Sequence, residues 1–453
     1  MSINAKMESA MTGLLREGAD YADIYFETGS SHSCFFEDRA FEEITSSRRE
    51  GIGARVVRND EVAYVHGPGA TASEAVFYLG EAAKAGGIAA PQDPFPALRI
   101  MERPAPLPAP RRDFFHDLDG RIRRSSLWVR QVSMHFETAE KTCTVFTSDR
   151  TIARDRRIYT LFSVEVVLEK DGDLQTGYES AAFALGEGDF FDRVTPLQVA
   201  ERALARGLLL LDAPPCPAGA MTVLLSGEAG GTMIHEACGH GLEADIVQKD
   251  FSPYRDKIGQ TVASPLVTLV DDGTLPGAFG SGSCDDEGTP CGRTVLIEQG
   301  VLKGYMTDVL SARRGGLPRT GNGRRSSYRA VPQPRMTNTF IEPGATPLSE
   351  MLRTMKRGLV VKRMGGGEVN PTSGDFVFQV TEGYLVEDGV IRHPVRGATL
   401  TGNGPEALRN IQAVGDDLHF LHGMCGKGGQ SVPVTDGQPS LLIGNLVVGG
   451  TDA

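Results

Sequence analysis

The 453-residue sequence predicts an α+β protein: an N-terminal α/β domain followed by a C-terminal, mainly antiparallel β domain. Three observations predict this fold class. Helical and strand patterns alternate along the first half, the second half consists of short β-rich runs broken by turn residues, and 55 glycines favour tight connections. Because the chain is too long for one simple core, we predict domains at 1–215 and 216–453, divided near the proline-rich stretch 212–219.

The N-terminal half opens with a predicted helix that ends at Gly18 and a strand in "ADYADIYFETGS". The segment "GIGARVVRNDEVAYVHG" predicts a hairpin, because residues 58–60 form a turn-favouring cluster between two β-rich runs. A helix follows in "ATASEAVFYLGEAAKAG", with Thr71 or Ser73 as its N-cap and Gly86 at its end. This order of elements is typical of an α/β layer.

Residues 91–113 are rich in proline and predict a long connection without regular structure. A helix near 114–127 and two or three strands are expected after it, in "VRQVSMHFETAEKTCTVFTSD" and "RTIARDRRIYTLFSVEVVLEKDG". The amphipathic segment "TPLQVAERALARGLLLL" predicts the helix that closes this half.

The second half begins with a buried strand, "MTVLLSG", which leads through "EAGGT" into a helix that carries histidines. Short strands are expected in "LVTLVDDG", "RTVLIEQGVLKGYMTD", "FVFQVTEGYLVEDGVIRHPV" and "PSLLIGNLVVGG". The pieces "IEQGVLKGY" and "VEDGVIRHP" each place an X-Gly pair between β-branched runs, which is the signal of a two-residue hairpin. The pattern therefore predicts an antiparallel β domain with one helix of special interest.

Composition narrows the functional class. The net charge of −12 argues against nucleic acid as a partner, although Arg324 and Arg325 mark a local basic patch. We expect no membrane span, because no apolar run approaches about 18 residues, and the N-terminal segment does not resemble a secretory signal. Seven scattered cysteines are an odd number and predict reduced thiols in a cytoplasmic protein.

The stretch "MIHEACGHGLEAD" places His235 and His240 five residues apart, whereas the zinc-protease helix HExxH spaces its histidines by four. On a regular helix, residues five apart point about 140° away from each other. Two distortions would bring them together. One turn of π-helix restores the register, or the helix loosens near Gly239 and Gly241, whose lack of Cβ permits other dihedral angles.

A metal site needs a third ligand, and without one the two histidines are an unrelated pair on a glycine-rich helix end. Catalytic zinc keeps three protein ligands and leaves one position to water. Cysteine, histidine and acidic candidates occur both inside the helix and elsewhere: Cys238, Glu243, Cys284, Cys291, His419, His422 and Cys425. The spacing of Cys284 and Cys291 is more typical of ordinary thiols, and Cys425 lies in a glycine-dense loop that a metal could approach closely. Spacing alone does not choose among the candidates.

The segment "HEACGHGLEAD" resembles the HExxxH motif of the TldD/PmbA family of metallopeptidases, in particular its TldD branch. Further blocks resemble the family in the same order, among them "DDEGTP", "PRTGNGRRSSY", "TSGDFVFQVTEGYLVEDGVI" and "CGKGGQSVPVTDGQPSLLIGNLVVGGT". The resemblance covers nearly the whole chain and is densest over 220–450. It implies an N-terminal α/β domain and a mainly antiparallel C-terminal β domain.

The resemblance also implies a site and an activity. It implies zinc held by His235, His240 and Cys425, with Glu236 as the catalytic carboxylate. The expected function is hydrolysis of peptide bonds in unfolded peptides, leader peptides or small proteins, with zinc-activated water and Glu236 as general base. The expected assembly is a homodimer, or a heterodimer with a PmbA-like chain that lacks the motif.

Two alternatives and one ambiguous residue stay open at this point. The chain could be a zinc-containing regulatory or scaffolding protein of the gyrase-modulator type without its own peptidase activity, or a zinc hydrolase of a non-peptide amide. Glu243 either orients a ligand histidine from behind or caps a helix end and faces solvent. The loop arginines, including Arg335, are expected to be solvated and are assigned no role.

Overall fold

The computed structural model describes residues 3–91, 96–103, 107, 111–370 and 372–450. Its helices are α1 Ile3–Arg16, α2 Ala72–Ala85, α3 Asp113–Ser125, α4 Glu187–Arg193, α5 Pro196–Leu211, α6 Thr232–Ile234, α7 Ala244–Gln248, α8 Val309–Gly315, α9 Leu348–Thr354 and α10 Gly404–Arg409. A 3₁₀ turn at Gly227–Ala229 precedes α6; a π-helix at His235–Gly239 and a 3₁₀ turn at His240–Leu242 follow it.

The strands fall into an N-terminal group and a C-terminal group. The first group is β1 Tyr21–Glu37, β2 Ala40–Arg58, β3 Glu61–Gly67, β4 Val129–Thr147, β5 Ile152–Lys170 and β6 Asp173–Phe183. The second is β7 Gly219–Leu225, β8 Leu269–Asp272, β9 Arg293–Glu298, β10 Val301–Leu302, β11 Gly323–Arg324, β12 Gln333–Pro334, β13 Asn338–Ile341, β14 Arg357–Val369, β15 Asp375–Glu387, β16 Val390–Val395, β17 Thr399–Asn403, β18 Ile411–Val414, β19 His419–Lys427, β20 Gln430–Gln438 and β21 Leu441–Gly449.

The first six strands form one antiparallel sheet in the order β3-β2-β1-β4-β5-β6. Because side chains alternate between the faces of a strand, Ile24 and Phe36 point to the same face, where they pack in the cores that α1, α2, α3 and α5 cover. Tyr25 points to the opposite face and packs against Tyr328 of the C-terminal half. One face of the sheet therefore carries the helices, and the other carries the second half of the chain.

The expected N-terminal elements are confirmed, but β1 and β2 meet in a further, unpredicted hairpin at 37–40, and β6 lies outside the predicted segments. The predicted hairpin turns at Asn59 and Asp60, which adopt left-handed φ values of 49° and 64°. Thr71, rather than Ser73, caps α2, and Glu74 completes a capping box with it. The short helix α4 was not predicted. Of the proposed connection 91–113, residues 92–95, 104–106 and 108–110 lie outside the described residues.

The C-terminal strands form two larger sheets and one small one. One sheet has the order β10-β9-β8-β13-β20-β19. The other has the order β14-β7-β21-β17-β15-β16, and since β15 also pairs with β14, five of its strands form a closed circuit. The two X-Gly hairpins form as predicted, between β9 and β10 and between β15 and β16.

The prediction of a mainly antiparallel β domain is confirmed, although β7 pairs in parallel with β14 and β13 with β20. The strands of the first sheet all lie within 21–183 and those of the other sheets within 219–449. The division into domains at 1–215 and 216–453 stays a prediction. Over the described residues, no helix has both the length and the apolar character needed to cross a membrane.

Candidate metal centre

The five-residue spacing of the histidines is accommodated by a π-helical turn. The N–H of His240 donates to the carbonyl oxygen of His235, five residues earlier, and Gly239 keeps helical dihedral angles of φ −56° and ψ −50°. The first of the two predicted distortions is therefore confirmed. A π turn adds one residue per turn, so the two imidazoles return to the same side of the helix.

The third side chain that meets them is Cys425, on β19. Its Sγ lies 3.1 Å from His235 Nε2 and 3.4 Å from His240 Nε2. The donor atoms of the three residues all lie within 4.8 Å of one another, and the two imidazole rings are nearly perpendicular, at 89°. Two imidazole nitrogens and one thiol sulfur thus converge on one point, and this donor set suits a tetrahedral metal with one position left open.

Each histidine is held from behind by a carboxylate. His235 Nδ1 lies 2.7 Å from Asp436 Oδ1, on β20, and His240 Nδ1 lies 3.0 Å from Glu243 Oε2. A carboxylate at Nδ1 fixes the ring orientation and places the proton there, so that Nε2 is free to act as a ligand. Glu243 is fully buried, so it orients a histidine rather than facing solvent.

Two basic residues, Lys427 and Arg335, hold this arrangement in place. Lys427 Nζ donates to Glu243 Oε2 at 2.9 Å and to Asp245 Oδ1 at 2.7 Å. Arg335, which is completely buried, donates through Nη2 to the carbonyl oxygen of Cys425. Arg335 therefore positions the backbone of the cysteine, and the expectation that it is solvated is wrong.

The electrostatics of these side chains favour a thiolate beside charged imidazole. Burial alone would raise the pKa of Cys425, but hydrogen bonds from His235 and His240 lower it to about 5. Burial would lower the pKa of His240, but the adjacent Glu243 carboxylate raises it to about 9. The thiolate is the form of cysteine that binds metals, and each imidazole becomes a ligand when it releases its Nε2 proton, so metal binding here releases protons.

Glu236 sits on the π-helix beside this centre and faces outward. Its side chain is 36% exposed, in contrast to the fully buried Glu243, and its Oε2 lies 3.9 Å from His240 Nε2. A carboxylate in this position can reach both solvent and the point where the three donor atoms converge. That is the geometry that a general base requires.

The other candidate ligands lie elsewhere. Cys238 is fully buried, and burial raises its pKa to about 12. His422 accepts a hydrogen bond at Nδ1 from the backbone N–H of Ala182, 3.2 Å away, and His419 is exposed. Burial also raises the pKa of the thiols of Cys284 and Cys291.

The predicted basic patch is also absent from the surface. Arg324 and Arg325 are 4% and 1% exposed. Arg324 donates to the carbonyl oxygens of Met336 and Pro433, and Arg325 stacks over the ring of Tyr25 at 4.2 Å. These arginines tie segments of the fold together, so the patch cannot serve as a binding surface for nucleic acid.

Asp436, Lys427 and Arg335 were not recognised as site residues from the sequence. The one available signal was that Lys427 and Asp436 lie in the same glycine-rich stretch of sequence as Cys425, which forms β19 and β20 rather than the expected loop. Their roles depend on the pairing of β19 with β20, which places Leu421 opposite Asp436. That register could not be inferred from the local pattern.

Comparison with known proteins agrees with this geometry. Models of the PmbA/TldA metallopeptidase family match residues 22–86 as domain 1, 107–211 as the central domain and 218–450 as the C-terminal domain. A "Metalloprotease TldD homolog" of Haemophilus influenzae is 37% identical over 452 residues, which cover 96% of this chain and 93% of that protein. A "Zinc metalloprotease TldD homolog" of Saccharolobus solfataricus is 33% identical over 289 residues, covering 63% and 64% of the two chains.

Two solved structures share the fold. One, from Thermotoga maritima, is described as a proposed DNA gyrase modulator; it superposes with a TM-score of 0.76 at 21% identity, covering 98% of this chain and all of that one. The other is TldE from Thermococcus kodakarensis, with a TM-score of 0.74 at 18% identity and the same coverage. At these identities the likeness concerns the fold alone.

The family models and the relatives place the chain in a family of metallopeptidases. The chain belongs to the TldD/PmbA metallopeptidase family, in its TldD branch, as the resemblance of its motifs predicted.

Proposed function

We propose that this chain is a zinc metallopeptidase that hydrolyses peptide bonds in unfolded peptides or small proteins. The observation that carries the proposal is the convergence of His235 Nε2, His240 Nε2 and Cys425 Sγ beside the exposed carboxylate of Glu236. A purely structural metal site has no use for such a carboxylate. The regulatory or scaffolding alternative leaves Glu236 without a role.

The donor set supports zinc as the metal. Imidazole nitrogen and thiolate sulfur are ordinary zinc ligands, and three protein ligands are typical of catalytic rather than structural sites. The word zinc in the name of one relative supports the same choice. When bound, zinc supplies Lewis acidity, which lowers the pKa of a water and polarises a peptide carbonyl.

The chain's own residues supply the rest of the chemistry. Glu236 takes the proton from the attacking water at its carboxylate and then delivers it to the amine that leaves. Asp436 and Glu243 keep the two imidazoles oriented so that Nε2 of each faces the centre. Arg335 and Lys427 hold the cysteine backbone and Glu243 in place, so the site is positioned before a substrate arrives.

The strand beside the π-helix suggests why an unfolded chain is the substrate. β14 pairs with β7 only through residues 358–361, and within the described part of the chain residues 363–369 pair only with β15. Arg363, at the start of this open edge, donates to the carbonyl oxygen of Glu228 ahead of the metal-bearing helix. An extended peptide can add to such an edge by backbone hydrogen bonds, which a folded protein cannot offer.

We also propose that the chain works as a dimer, either with a second copy or with a PmbA-like chain. The fold that it shares with TldE supports such a partner, because two chains of one fold can form a pseudosymmetric pair.

The test is to measure bound metal and cleavage in the same preparation. The purified chain should contain one zinc per site and cleave a denatured protein faster than its folded form. Chelation should abolish cleavage, and added zinc should restore it. Cleavage that is unchanged after the zinc has been removed would contradict the proposal.

A further inference from the structure

A cavity of 880 Å³ lies where the N-terminal sheet meets the sheet that carries Cys425. It is lined by the edge strands of both sheets, β6 and β19, and by α5. The two edges touch where the N–H of Ala182 donates to His422 Nδ1. A volume of this size is within the range of ligand-binding pockets.

The cavity lies beside the metal centre. Thr435 lines it, and the next residue of β20, Asp436, whose side chain points to the other face of the strand, holds His235. Leu421 also lines it and lies close to Gly230, which leads into the helix of the histidines.

Part of the charge in the cavity is neutralised internally. The carboxylate of Glu179 is 4% exposed and accepts from both Arg206 and Arg363. Burial would raise the pKa of Glu179, but these two arginines hold it below its usual value. Arg206 also lies 3.1 Å from Glu382. This cluster therefore has its charges paired and offers no free cation to a ligand.

Two further arginines in the lining have no carboxylate partner within the part of the chain that the structure describes. Arg193 and Arg202 are exposed, and among the described residues no carboxylate lies within ion-pair distance of either. Arg193 is held over the ring of Phe183, with its guanidinium carbon 5.3 Å from the ring centroid. The third glutamate of the lining, Glu228, lies 3.6 Å from Lys362. The cavity thus has unpaired positive charge in a chain whose net charge is −12.

Apolar surface lies next to these arginines. Phe420, from β19, lines the cavity and is 41% exposed, which is unusual for so large an apolar side chain. Phe279 forms another part of the wall and packs edge-on against His422. Unpaired guanidinium groups in the same cavity as the exposed ring of Phe420 match a ligand that combines a carboxylate with an apolar side chain.

We propose that this cavity binds a carboxylate-bearing, partly apolar segment of the peptide substrate, with the carboxylate at Arg193 or Arg202 and an apolar side chain at Phe420. This inference rests on the proposed peptidase function. The carboxylate comes either from an Asp or Glu side chain or from the C-terminus of the peptide.

The test is a binding experiment in a zinc-loaded chain that carries Glu236→Gln, so that peptides are held but not cleaved. Three fluorescent, unstructured peptides share one sequence: one with a free C-terminus, one amidated, and one amidated with an added Glu. At least one carboxylate peptide should bind about two- to tenfold more tightly than the neutral one, and the peptide that does so identifies the source of the carboxylate.

The substitution pair Arg193→Gln with Arg202→Gln should remove this preference, and the exposed Arg124→Gln on α3 should keep it. Equal binding of all three peptides, or a preference that survives the double substitution, would overturn the proposal. Because binding is measured without cleavage, the result for the cavity does not depend on the result for the peptidase. A preference without cleavage by the parent chain contradicts only the peptidase, and cleavage without a preference contradicts only the cavity.

Discussion

At the residue scale, both ring nitrogens of each histidine have a partner. Nε2 of His235 and of His240 faces the Cys425 sulfur, while Nδ1 of each faces a carboxylate. This division gives every side chain of the centre a separate expected effect when it is substituted. Loss of a donor should remove the metal, and loss of a carboxylate behind a donor should weaken its binding.

Substitution of the proposed cysteine ligand should abolish metal binding. Cys425→Ala removes one of three donors and is expected to leave the purified chain without stoichiometric zinc, as measured by elemental mass spectrometry. Cys238→Ala is the matched control. That thiol lies three residues after His235 in the helix of the histidines, and burial raises its pKa to about 12. Zinc lost from the Cys238 variant and kept by the Cys425 variant would move the third ligand into the helix.

Substitution of the carboxylate behind His235 should weaken the metal rather than abolish it. Asp436→Ala removes the 2.7 Å hydrogen bond that orients the ring. We expect zinc affinity, measured by competition with a chelator, to fall about 10- to 100-fold. The exposed Asp416→Ala should leave the affinity unchanged. An unchanged affinity in the Asp436 variant would show that the ring is oriented by packing alone.

The sequence indicated only part of this centre. His235, Glu236 and His240 are neighbours in the chain, so their pattern could be recognised locally. Cys425 was one of several candidates by spacing, and its choice rested on the resemblance. Asp436 could not be predicted. It lies 201 positions after His235 in the sequence, and only the pairing of β19 with β20 brings it to the centre.

At the scale of the element, the π turn is stabilised by close contact with its neighbours. Gly404, at the start of α10, packs so closely on the turn that a Cβ on it would lie 2.2 Å from the carbonyl oxygen of Ala237. A Cβ on Gly239 would meet the sulfur of Met336 at the same distance. The turn is therefore enclosed on two sides, by its own backbone against Gly404 and by the side chain of Met336 against Gly239.

Gly404→Ala should consequently disturb the turn. The new methyl group meets backbone that cannot rotate away, so we expect a loss of about 1–3 kcal/mol in the free energy of unfolding and weaker zinc binding. Gly304→Ala is the control, since a Cβ there would meet no atom within 4 Å. Denaturant unfolding and chelator competition measure the two effects. Full stability and full zinc affinity in the Gly404 variant would contradict the close packing.

The spacing of the histidines predicted a distorted helix, because a regular helix would point them apart, but it did not choose between a π turn and a helix loosened at its glycines. The contacts of Gly404 and Met336 with that turn were not predictable. They join segments that lie far apart in the sequence. The hairpins were recognised because their turn residues are adjacent, whereas the parallel pairing of β7 with β14 leaves no local signal.

At the scale of the whole molecule, buried ion pairs join the two halves of the chain. Asp286, which is fully buried, lies 3.1 Å from Arg157 of β5 and 3.5 Å from Lys141 of β4. Burial alone would raise the pKa of Asp286, but Arg157 and Lys141 outweigh it and hold the pKa well below its usual value. A buried charge of this kind is costly to leave without its partner.

Asp286→Asn should therefore destabilise the chain at neutral pH by at most about 3–5 kcal/mol, since it removes the carboxylate that Arg157 and Lys141 share and leaves them only Asp155 and Glu27. The pH dependence should also change. Because the folded-state pKa is lowered, the unfolded chain binds more protons in acid, and stability falls as the pH drops below about 4. The variant should lose less stability in that range than the parent does, whereas the exposed Asp192→Asn should behave like the parent. Chemical denaturation at several pH values measures this. Parallel pH profiles for parent and Asp286 variant would contradict the assignment.

The central claim is that Glu236 and the metal centre cleave peptide bonds. The most direct measurement is cleavage of an unstructured peptide by the zinc-analysed chain beside its Glu236→Gln variant. We expect the variant to keep its zinc and to lose about 10²- to 10⁴-fold in turnover, because the general base is gone while the donor atoms remain. Near-normal cleavage by a zinc-loaded Glu236→Gln chain would contradict the claim.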